Sequence, residues 1–411
     1  MPKLLQINEC NNVLSTGKIA GDIGELAVSC GWNSCIISSK ASGFLPSKSR
    51  PILIGGRFSR YFHALETRIF DNHSLGLSSR NATKKAINQI EIIRPDIIHL
   101  HIIHGYYLNL PILFDFLANK DIPIVWTIHS CWEFTGHCAF FDRVGCNKWE
   151  TGCSNCPQLK AYPTSWLCDR SRKNYAEKKK IFTSLKNVTL VPVSYWLGGL
   201  LQKSFLKGYS IRPIYNGVDV DKFRPVADSI SIKRRFVDDH KFLAIGVAST
   251  WEERKNLSDF IRLSESLSEE YQIMLIGLSQ KQIRKLPASI IGLRRTTDFS
   301  ELVGLYSAAD VVLNLSLEET FGLTTVEGFA CGTPSIVYNK TASPELVTPE
   351  TGFVVDAGDI DGIVKCMEEI RAKGKSYYSE SCRKRAVEKF DKNKNFQQYI
   401  DLYEELLRRE D

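Results

Sequence analysis

The sequence has no apolar run long enough to cross a membrane and no standard nucleotide-binding fingerprint. No stretch approaches the roughly 18 consecutive apolar residues that indicate a transmembrane helix. The segment Met1–Glu9 turns polar too early for a secretory signal peptide, so we expect a cytoplasmic protein, either free or peripheral on the inner leaflet of the plasma membrane. Neither G-x-G-x-x-G nor the Walker motif occurs, which excludes the two most familiar phosphate-binding loops.

The basic residues are not accompanied by the motifs that nucleic-acid recognition requires. The formal net charge is +7, and part of it lies in the segment Arg170–Lys180. No zinc-finger spacing and no basic motif interleaved with aromatic residues is present, so we expect no nucleic-acid partner. Two interpretations of the basic run stay open. It is either a solvated helix face or a contact with an anionic membrane, worth about 1 kcal/mol per basic residue.

Apolar segments of strand length alternate with helical patterns along all 411 residues, which predicts parallel sheets in two or three domains. The clearest expected strands in the first half are Lys3–Ile7, Cys35–Ile37, 96–101, 122–128 and 188–193. A second α/β unit starts afresh at Phe242–Val247 and continues through 272–277, 309–315 and Gly352–Val355. No low-complexity linker separates the halves, and we place the boundary between residues 210 and 211.

The most informative segment is 316–334, which follows the buried strand pattern of 309–315. Phe321 and Gly322 predict a tight turn into a helix that starts near Leu323 and stops at Gly332. Free backbone N–H groups of Leu323 and Thr324 at a helix start favour binding of an anion such as a phosphate. Two carboxylates, Glu319 and Glu327, flank that position and suit the hydroxyls of two sugar rings. The segment therefore predicts a nucleotide-sugar site.

This segment, from Glu319 to Glu345, resembles the signature of glycosyltransferase family 4, the retaining nucleotide-sugar enzymes. The resemblance extends in order over nearly the whole chain and is nearest to bacterial enzymes of capsule, O-antigen and exopolysaccharide synthesis. It implies the GT-B fold, two Rossmann-like domains with the active site in the cleft between them. Residues 1–210 would bind the acceptor and 211–388 the donor, and the helix 389–411 would pack back on the first domain.

The resemblance also assigns roles to residues in other loops. Gly17 matches a glycine that lets the backbone approach the donor phosphates, and His129 matches a histidine facing the donor sugar. Lys255 matches a diphosphate-binding lysine, whereas Ser249-Thr250 stand where the family has an arginine. Arg254 is a candidate replacement. We also expect at least one of three further histidines to line the same crevice: His99, His101 and His104.

Four of the twelve cysteines form a cluster with the spacing C-x7-C-x6-C-x2-C, in an expected insertion at 130–168. They are Cys138, Cys146, Cys153 and Cys156. The Cys-x-x-Cys end is typical of a structural zinc site, and four thiolates satisfy tetrahedral Zn²⁺. Reduced packing cysteines and disulfides are the alternatives. We weigh the zinc hypothesis and the packing hypothesis equally.

These patterns lead to one expected function. The protein transfers a sugar from a UDP- or GDP-sugar to a hydroxyl of a saccharide acceptor, expected on a polyprenyl-diphosphate carrier, in surface polysaccharide biosynthesis. Glu319, His129 and Lys255 would serve catalysis. Donor binding would involve Gly17, Arg254, Lys255, Phe321, Gly322, Leu323, Thr324 and Glu327. No metal or other cofactor is expected in the chemistry, since the donor phosphate can take the acceptor proton. A nucleotide-sugar epimerase and a non-catalytic sugar-nucleotide or glycan-binding protein are the alternatives.

Overall fold

A computed structural model describes residues 1–40, 47–296 and 298–408. The chain divides into two compact units. Unit 1 comprises Met1–Tyr215 and the end of the chain from Phe396 onward, and unit 2 comprises Asn216–Asn395. The division lies five residues after the boundary expected from the sequence.

Unit 1 is built on a parallel sheet of seven strands with helices on the connections. In chain order its elements are β1 Lys3–Ile7, α1 Leu14–Ser29, β2 Asn33–Ser38, β3 Arg50–Leu53, α2 Arg57–Phe70, α3 Arg80–Ile93, β4 Ile97–Leu100, α4 Leu110–Ala118, β5 Ile124–Ile128, α5 Ser171–Phe182, β6 Val188–Pro192, α6 Tyr195–Lys203 and β7 Ser210–Ile211. The spatial order is β3-β2-β1-β4-β5-β6-β7. The order reverses between β1 and β4, and ligands of doubly wound sheets bind beyond the strand ends at such a point.

Unit 2 repeats this plan with six parallel strands. Its elements are α7 Ser229–Arg234, β8 Phe242–Val247, α8 Leu257–Ser266, β9 Tyr271–Ile276, α9 Gln280–Ile283, β10 Ile290–Leu293, α10 Phe299–Ala308, β11 Val311–Asn314, α11 Leu323–Ala330, β12 Ser335–Tyr338, β13 Gly352–Val355, α12 Ile360–Lys373, α13 Ser376–Lys389 and the start of α14 Lys392–Arg408. The order β10-β9-β8-β11-β12-β13 reverses between β8 and β11.

The end of α14 completes the core of unit 1. Phe396, Tyr399 and Tyr403 are at most 2% exposed and share one apolar cluster with Leu4 of β1 and Ile97 of β4. Tyr403 and Tyr399 also make polar contacts with the sheet, to His99 Nδ1 at 2.6 Å and to Thr127 Oγ1 at 3.1 Å. The late helix is thus a structural part of the unit formed by the beginning of the chain.

The structure confirms the expected alternation and the strand positions to within one or two residues. Three short strands were not expected from the sequence: β3, β7 and β10. The first helix begins at Leu14, directly after the loop that follows β1. Within the described part of the chain, no helix combines the length and apolarity needed to cross a bilayer.

Candidate functional site

The loops that follow β8 and β11 carry a charged cluster at the strand-order reversal of unit 2. Arg254 and Lys255 lie in a 3₁₀ turn, Glu253–Lys255, and Glu319 lies in the loop after β11. The Lys255 ammonium donates a hydrogen bond to the Glu319 carboxylate, and Arg254 Nη1 lies 3.9 Å from Glu319 Oε2. The structure therefore brings Glu319 into contact with Lys255, which lies 64 positions earlier in the sequence, and close to Arg254.

Glu319 is held ionised although it is buried. Burial alone would raise the pKa of Glu319, but the charges of Lys255 and Arg254 and hydrogen bonds from Lys255 and Ser316 lower it below its ordinary value. Its backbone N–H donates to Thr341 Oγ1 at 2.8 Å, which fixes the loop. Arg254 also donates from Nη1 to the Glu318 carbonyl at 3.3 Å, so its guanidinium is directed toward the loop that carries Glu319.

The turn into α11 has the geometry that the sequence predicted. Gly322 has φ +105°, which a side chain would strain, and a Cβ there would lie 3.1 Å from Leu346 Cδ1. Gly322 is the N-cap and offers no side chain to the first N–H groups of the helix, those of Leu323 and Thr324. Phe321 is 2% exposed and anchors the turn. The helix start therefore keeps its capacity to bind an anion.

Glu327 is the fifth residue of α11 and is half-buried. Its Oε2 accepts a hydrogen bond from the hydroxyl of Tyr306 at 2.7 Å. The buried Tyr306 thereby orients the second carboxylate, and its phenol pKa is raised well above the ordinary value by burial first and by the charge of Glu327 second. No sequence signal pointed to Tyr306, because its partner lies 21 residues away on another helix.

A groove of about 690 Å³ lies along the ends of β8, β9 and β10 in the same unit. Its lining includes Thr250, Ser279 and the two cations Arg294 and Arg295. Gly277 has φ +96°, and a Cβ there would lie 1.6 Å from the Ala248 carbonyl oxygen, so only glycine lets these two loops touch. The groove gives unit 2 a second polar, cationic surface on the loops that carry Lys255.

At the corresponding edge of unit 1, buried histidine rings follow β4 and β5. His129 is 8% exposed, and its Nε2 lies 3.3 Å from His101 Nδ1, while His101 Nε2 lies 2.9 Å from Gln6 Oε1. Burial lowers the pKa of His129 to about 3, so the ring is neutral at pH 7. His99 is buried deeper and bonds Thr127 Oγ1 and the Tyr403 hydroxyl, which is a structural role.

Gly17 packs within its own loop. It lies in the first turn of α1, and a Cβ there would lie 3.1 Å from both the Cβ and the carbonyl oxygen of Cys10. Cys10 therefore occupies the space that the missing side chain leaves. A side chain at this position would have to displace Cys10 slightly, so packing within the loop favours glycine.

A polar pocket of about 490 Å³ opens at the strand-order reversal of unit 1. Glu9 follows β1, and His104, Gly105 and Tyr106 follow β4. The remaining lining residues are Thr16, Lys40, Arg60, Ile102 and Tyr162. Lys40 is paired with Glu9. The Nε atom of Arg60 and the Nε2 atom of His104 are buried and have no hydrogen-bond partner among the described residues. Aromatic rings and polar side chains of this kind suit a sugar.

The structure does not support the zinc hypothesis for the cysteine cluster. Cys138, Cys146, Cys153 and Cys156 do line one small pocket. In residues 1–40, 47–296 and 298–408, however, no group of three or more His, Cys, Asp or Glu side chains is arranged to hold a metal ion. The Cys138 thiol instead hydrogen-bonds the Cys156 sulfur, which lowers the pKa of Cys156 to about 7. Gly136 N–H donates to Cys153 Sγ at 3.2 Å. All twelve cysteines are free thiols, so packing is the surviving alternative.

The basic run 170–180 forms helix α5 and does not present all its cations to solvent. Lys178 is 1% exposed, with its ammonium 3.2 Å from the centre of the Trp132 ring and bonded to the carbonyls of Trp132 and Thr135 at 2.7 and 3.1 Å. Burial lowers its pKa to about 7. Arg172, Lys173, Lys179 and Lys180 are exposed. Of the two interpretations of the basic run, neither a solvated face nor a membrane contact applies to Lys178, because its side chain is buried.

Sequence reasoning missed the buried ionisable groups around Lys178. Glu133 is completely buried, accepts from Ser130 Oγ at 3.1 Å, and has its pKa raised to about 7 by burial. Tyr175, Lys178 and Phe182 recur at helical spacing, and this is the one sequence signal that placed Lys178 on the buried face. The surrounding charges concealed that signal.

Comparison with known proteins agrees with this architecture. The family described as Glycosyltransferase Family 4 matches residues 28–222, and the family described as Glycosyl transferases group 1 matches residues 239–372. The protein of Escherichia coli K12 named as the colanic acid biosynthesis glycosyl transferase WcaC is 24% identical over 322 residues, covering 76% of this chain and 77% of WcaC.

Solved structures share the fold over the full length. Sucrose-phosphate synthase from Thermosynechococcus elongatus aligns with a TM-score of 0.72 at 17% identity and covers 100% of both chains. HepE from Anabaena, solved in complex with UDP-glucose, aligns with a TM-score of 0.67 at 14% identity and covers 98% of this chain and 99% of its own. The two family matches account for both units. The chain is a glycosyltransferase that combines a family 4 domain and a group 1 domain, and it has the GT-B fold of two Rossmann-like domains.

Proposed function

We propose that this glycosyltransferase moves a sugar from a nucleoside diphosphate sugar to a saccharide hydroxyl in the synthesis of a surface polysaccharide. The observation that carries the proposal is the Lys255–Glu319 pair beside the uncapped start of α11. A cation, a carboxylate and a helix N-terminus meet there, and together they suit a phosphorylated sugar. The relationship to WcaC, a protein named for colanic acid biosynthesis, supports the polysaccharide context.

Unit 2 binds the donor in this proposal. The diphosphate lies at the N–H groups of Leu323 and Thr324 and takes Lys255 and Arg254 as its cations. Glu319, released from Lys255, accepts hydrogen bonds from hydroxyls of the sugar. Glu327 accepts from the ribose and is oriented by Tyr306. The groove with Arg294 and Arg295 receives the nucleoside, which is uridine or guanosine.

Unit 1 binds the acceptor in the pocket that holds Glu9, Arg60 and Tyr162. The acceptor oxygen forms a bond to the anomeric carbon while the bond from that carbon to the phosphate oxygen breaks. The acceptor proton passes to the departing phosphate, whose negative charge Lys255 and the helix N-terminus stabilise. His129 contacts the reacting sugar as a neutral hydrogen-bonding ring. Retention of anomeric configuration follows from the family resemblance.

The test is a screen of UDP- and GDP-sugars by thermal shift, followed by transfer to saccharide acceptors with and without a polyprenyl diphosphate. A donor at 100 times its Kd should stabilise the protein by about 2.7 kcal/mol. Proton NMR of the product then reports the anomeric configuration. Conversion of the donor to an isomer without acceptor would indicate an epimerase. Donor binding without transfer or hydrolysis would indicate a binding protein. Either result would overturn the proposal.

Glu327→Ala should weaken donor binding in this assay about tenfold, because the ribose loses a hydrogen bond to a charged group. Glu350→Ala is the matched control, since Glu350 is an exposed carboxylate in a loop of the same unit. Equal donor affinity of the two variants would contradict the ribose assignment.

A further inference from the structure

Glu133 of unit 1 is a buried carboxyl group that the proposed reaction does not use. It lies in the short 3₁₀ turn Trp132–Phe134, in the loop after β5, and its side chain is completely buried. Its Oε2 accepts a hydrogen bond from Ser130 Oγ at 3.1 Å, but its Oε1 has no hydrogen-bond partner among the described residues. A buried carboxyl oxygen without a partner is costly, so its presence calls for a physical reason.

A second unsatisfied atom, His104 Nε2, lies close to Glu133 Oε1. The two atoms are 4.0 Å apart, and both are buried. In the part of the chain that the structure describes, His104 Nε2 also has no hydrogen-bond partner. A carboxylate oxygen accepts hydrogen bonds and an imidazole nitrogen donates when it carries the proton, so the two atoms are complementary. An approach of about 1 Å would bring them to the usual N–H···O distance.

The other ring nitrogen of His104 connects this pair to the polar pocket of unit 1. His104 Nδ1 lies 3.0 Å from the hydroxyl of Tyr162, and both residues line that pocket. The Tyr162 carbonyl accepts from the Ala139 N–H at 3.3 Å, so the backbone of this tyrosine is held as well. The side chains of Glu133, His104 and Tyr162 thus form one line of polar groups that runs from the core to the pocket.

Protonation decides in which direction the hydrogen bonds of this line run. Burial lowers the pKa of His104 to about 3, so the ring is neutral and carries one N–H proton. Burial raises the pKa of Glu133 to about 7, against the charge of Lys178 and the hydrogen bond from Ser130, so the carboxylate is ionised at pH 8. An ionised Oε1 only accepts, which places the His104 proton on Nε2. Nδ1 then accepts from Tyr162, whose oxygen keeps its lone pairs for the pocket.

We propose that Glu133 is a positioning residue that acts through His104 to present the Tyr162 oxygen to the pocket as a hydrogen-bond acceptor. The pocket therefore selects a ligand that places a donor at this point, such as a saccharide hydroxyl that does not itself react. This assignment rests on the proposed function, which places the acceptor in this pocket. An acceptor that carries an ether or an ester instead of that hydroxyl loses the bond.

Nitrogen-15 NMR of the histidine-labelled full-length protein at pH 8 tests the arrangement without any ligand. His104 should carry its proton on Nε2, and its signal is assigned by its loss in His104→Gln. A proton on Nδ1 in the wild type would overturn the proposal, and this measurement decides it even if a Glu133 variant does not fold. Glu133→Gln should move the proton to Nδ1, because the new amide accepts from Ser130 and donates to Nε2. An unchanged tautomer in Glu133→Gln would also overturn it.

Acceptor kinetics measure the consequence for the pocket. The donor probes are UDP-glucose and GDP-mannose, and the acceptor probes are methyl glycosides of glucose, galactose and mannose, free or replaced by a polyprenyl-diphosphate-linked saccharide. Glu133→Gln and Tyr162→Phe should each raise the acceptor KM about 3- to 10-fold, which is the range of one neutral hydrogen bond. Turnover at saturating acceptor and donor affinity should stay within twofold of the wild type, whereas general damage to the fold would change all three quantities.

A double-mutant cycle shows whether Glu133 acts through Tyr162. Glu133→Gln should add less than twofold to the acceptor KM in the Tyr162→Phe background, because the hydroxyl that it orients is already absent. Tyr106→Phe provides the matched background, since Tyr106 is another tyrosine that lines the same pocket. Glu133→Gln should keep its full effect there. Equal added effects in the two backgrounds would mean that Glu133 serves only the packing of the unit.

The two kinds of measurement separate this inference from the proposed reaction. A wild type that transfers no sugar to any of these acceptors would overturn the reaction, while the tautomer of His104 still decides the arrangement of Glu133. A wild type that transfers sugar but carries the His104 proton on Nδ1 would overturn the arrangement alone.

Discussion

The two sheets have the same strand plan, yet their binding edges carry different sets of side chains. Unit 2 presents cations and carboxylates at its strand-order reversal, with Lys255 and Glu319 in contact. Unit 1 combines buried histidine rings with the Lys40–Glu9 pair and Arg60, and seven of the eight histidines of the chain are buried in that unit. A fold repeated twice thus supports two kinds of site, because the loops carry the chemistry and the sheet supplies the position. Charge suits a diphosphate, and neutral rings suit sugar hydroxyls.

The largest effect should come from Glu319→Ala, which removes the carboxylate at the charged edge. We expect turnover to fall roughly 10²–10³-fold, a loss typical of removing one fixed electrostatic contact from the reacting centre. Donor affinity should change less than threefold, because the proposed contacts of the diphosphate remain. Steady-state transfer kinetics and calorimetric donor titration measure the two quantities. Wild-type turnover in Glu319→Ala would remove the functional distinction between the edges.

Lys255→Ala should weaken donor binding by about 10- to 100-fold, since a charge-assisted bond to phosphate is worth about 1.5–3 kcal/mol. Arg254→Ala sharpens the comparison. The Arg254 guanidinium already turns toward Glu319, so we expect a weakening of at least fivefold if it replaces the absent family arginine. Calorimetric titration of the same donor gives both values. Donor affinity equal to wild type in Arg254→Ala would show that this side chain serves only the loop.

Lys178→Met tests the buried charge of unit 1 through pH. The folded pKa of Lys178 is about 7, below the ordinary lysine value of 10.5, so above pH 7 the unfolded state holds more protons. The free energy of unfolding therefore gains a contribution that rises with pH between 7 and 10.5, by up to about 1.4 kcal/mol per pH unit. The variant should lose this rise.

Urea unfolding of both proteins at pH 7 and pH 9 measures the difference. Lys179→Met is the matched control, because Lys179 is the next residue and is exposed. The pH dependence of Lys179→Met should follow that of the wild type. Identical pH dependence in all three proteins would mean that Lys178 is hydrated in solution.

The smallest effect concerns the polar contact between α14 and the first sheet. Tyr403→Phe removes the hydroxyl bonded to His99 Nδ1 and leaves that buried nitrogen without this partner. We expect the free energy of unfolding to fall by about 1–3 kcal/mol. Tyr377→Phe, on an exposed tyrosine of unit 2, should change it by less than about 0.5 kcal/mol. Equal free energies of unfolding for Tyr403→Phe and the wild type would show that this hydrogen bond makes no net contribution to stability.

Sequence reasoning recovered the parts of the structure whose signals are local. The strand before Glu319, the turn at Gly322 and the helix from Leu323 follow from apolar runs and glycine positions within one window. The ion pair of Lys255 and Glu319 joins residues 64 positions apart, and only the sheet order shows that their loops are neighbours. Short edge strands such as β7, with two residues, carry too little pattern to be detected.

The errors also have physical reasons. The cysteine spacing is compatible with zinc, but spacing does not determine where the thiols point. Here the Cys138 thiol and the Cys156 sulfur are hydrogen-bonded to each other. The basic composition of 170–180 suggests solvated cations, but composition does not show which face of the helix each residue occupies, and Lys178 lies on the buried face.

The packing of α14 has a consequence for how the polypeptide is made. Residues 216–395 are contiguous, so unit 2 can fold as soon as they have left the ribosome. Unit 1 cannot close its core until Phe396, Tyr399 and Tyr403 have been synthesised, although its sheet begins at residue 3. The half of the enzyme that is translated first is therefore completed last. During translation its nascent sheet exposes an apolar surface, which makes it the expected client of chaperones.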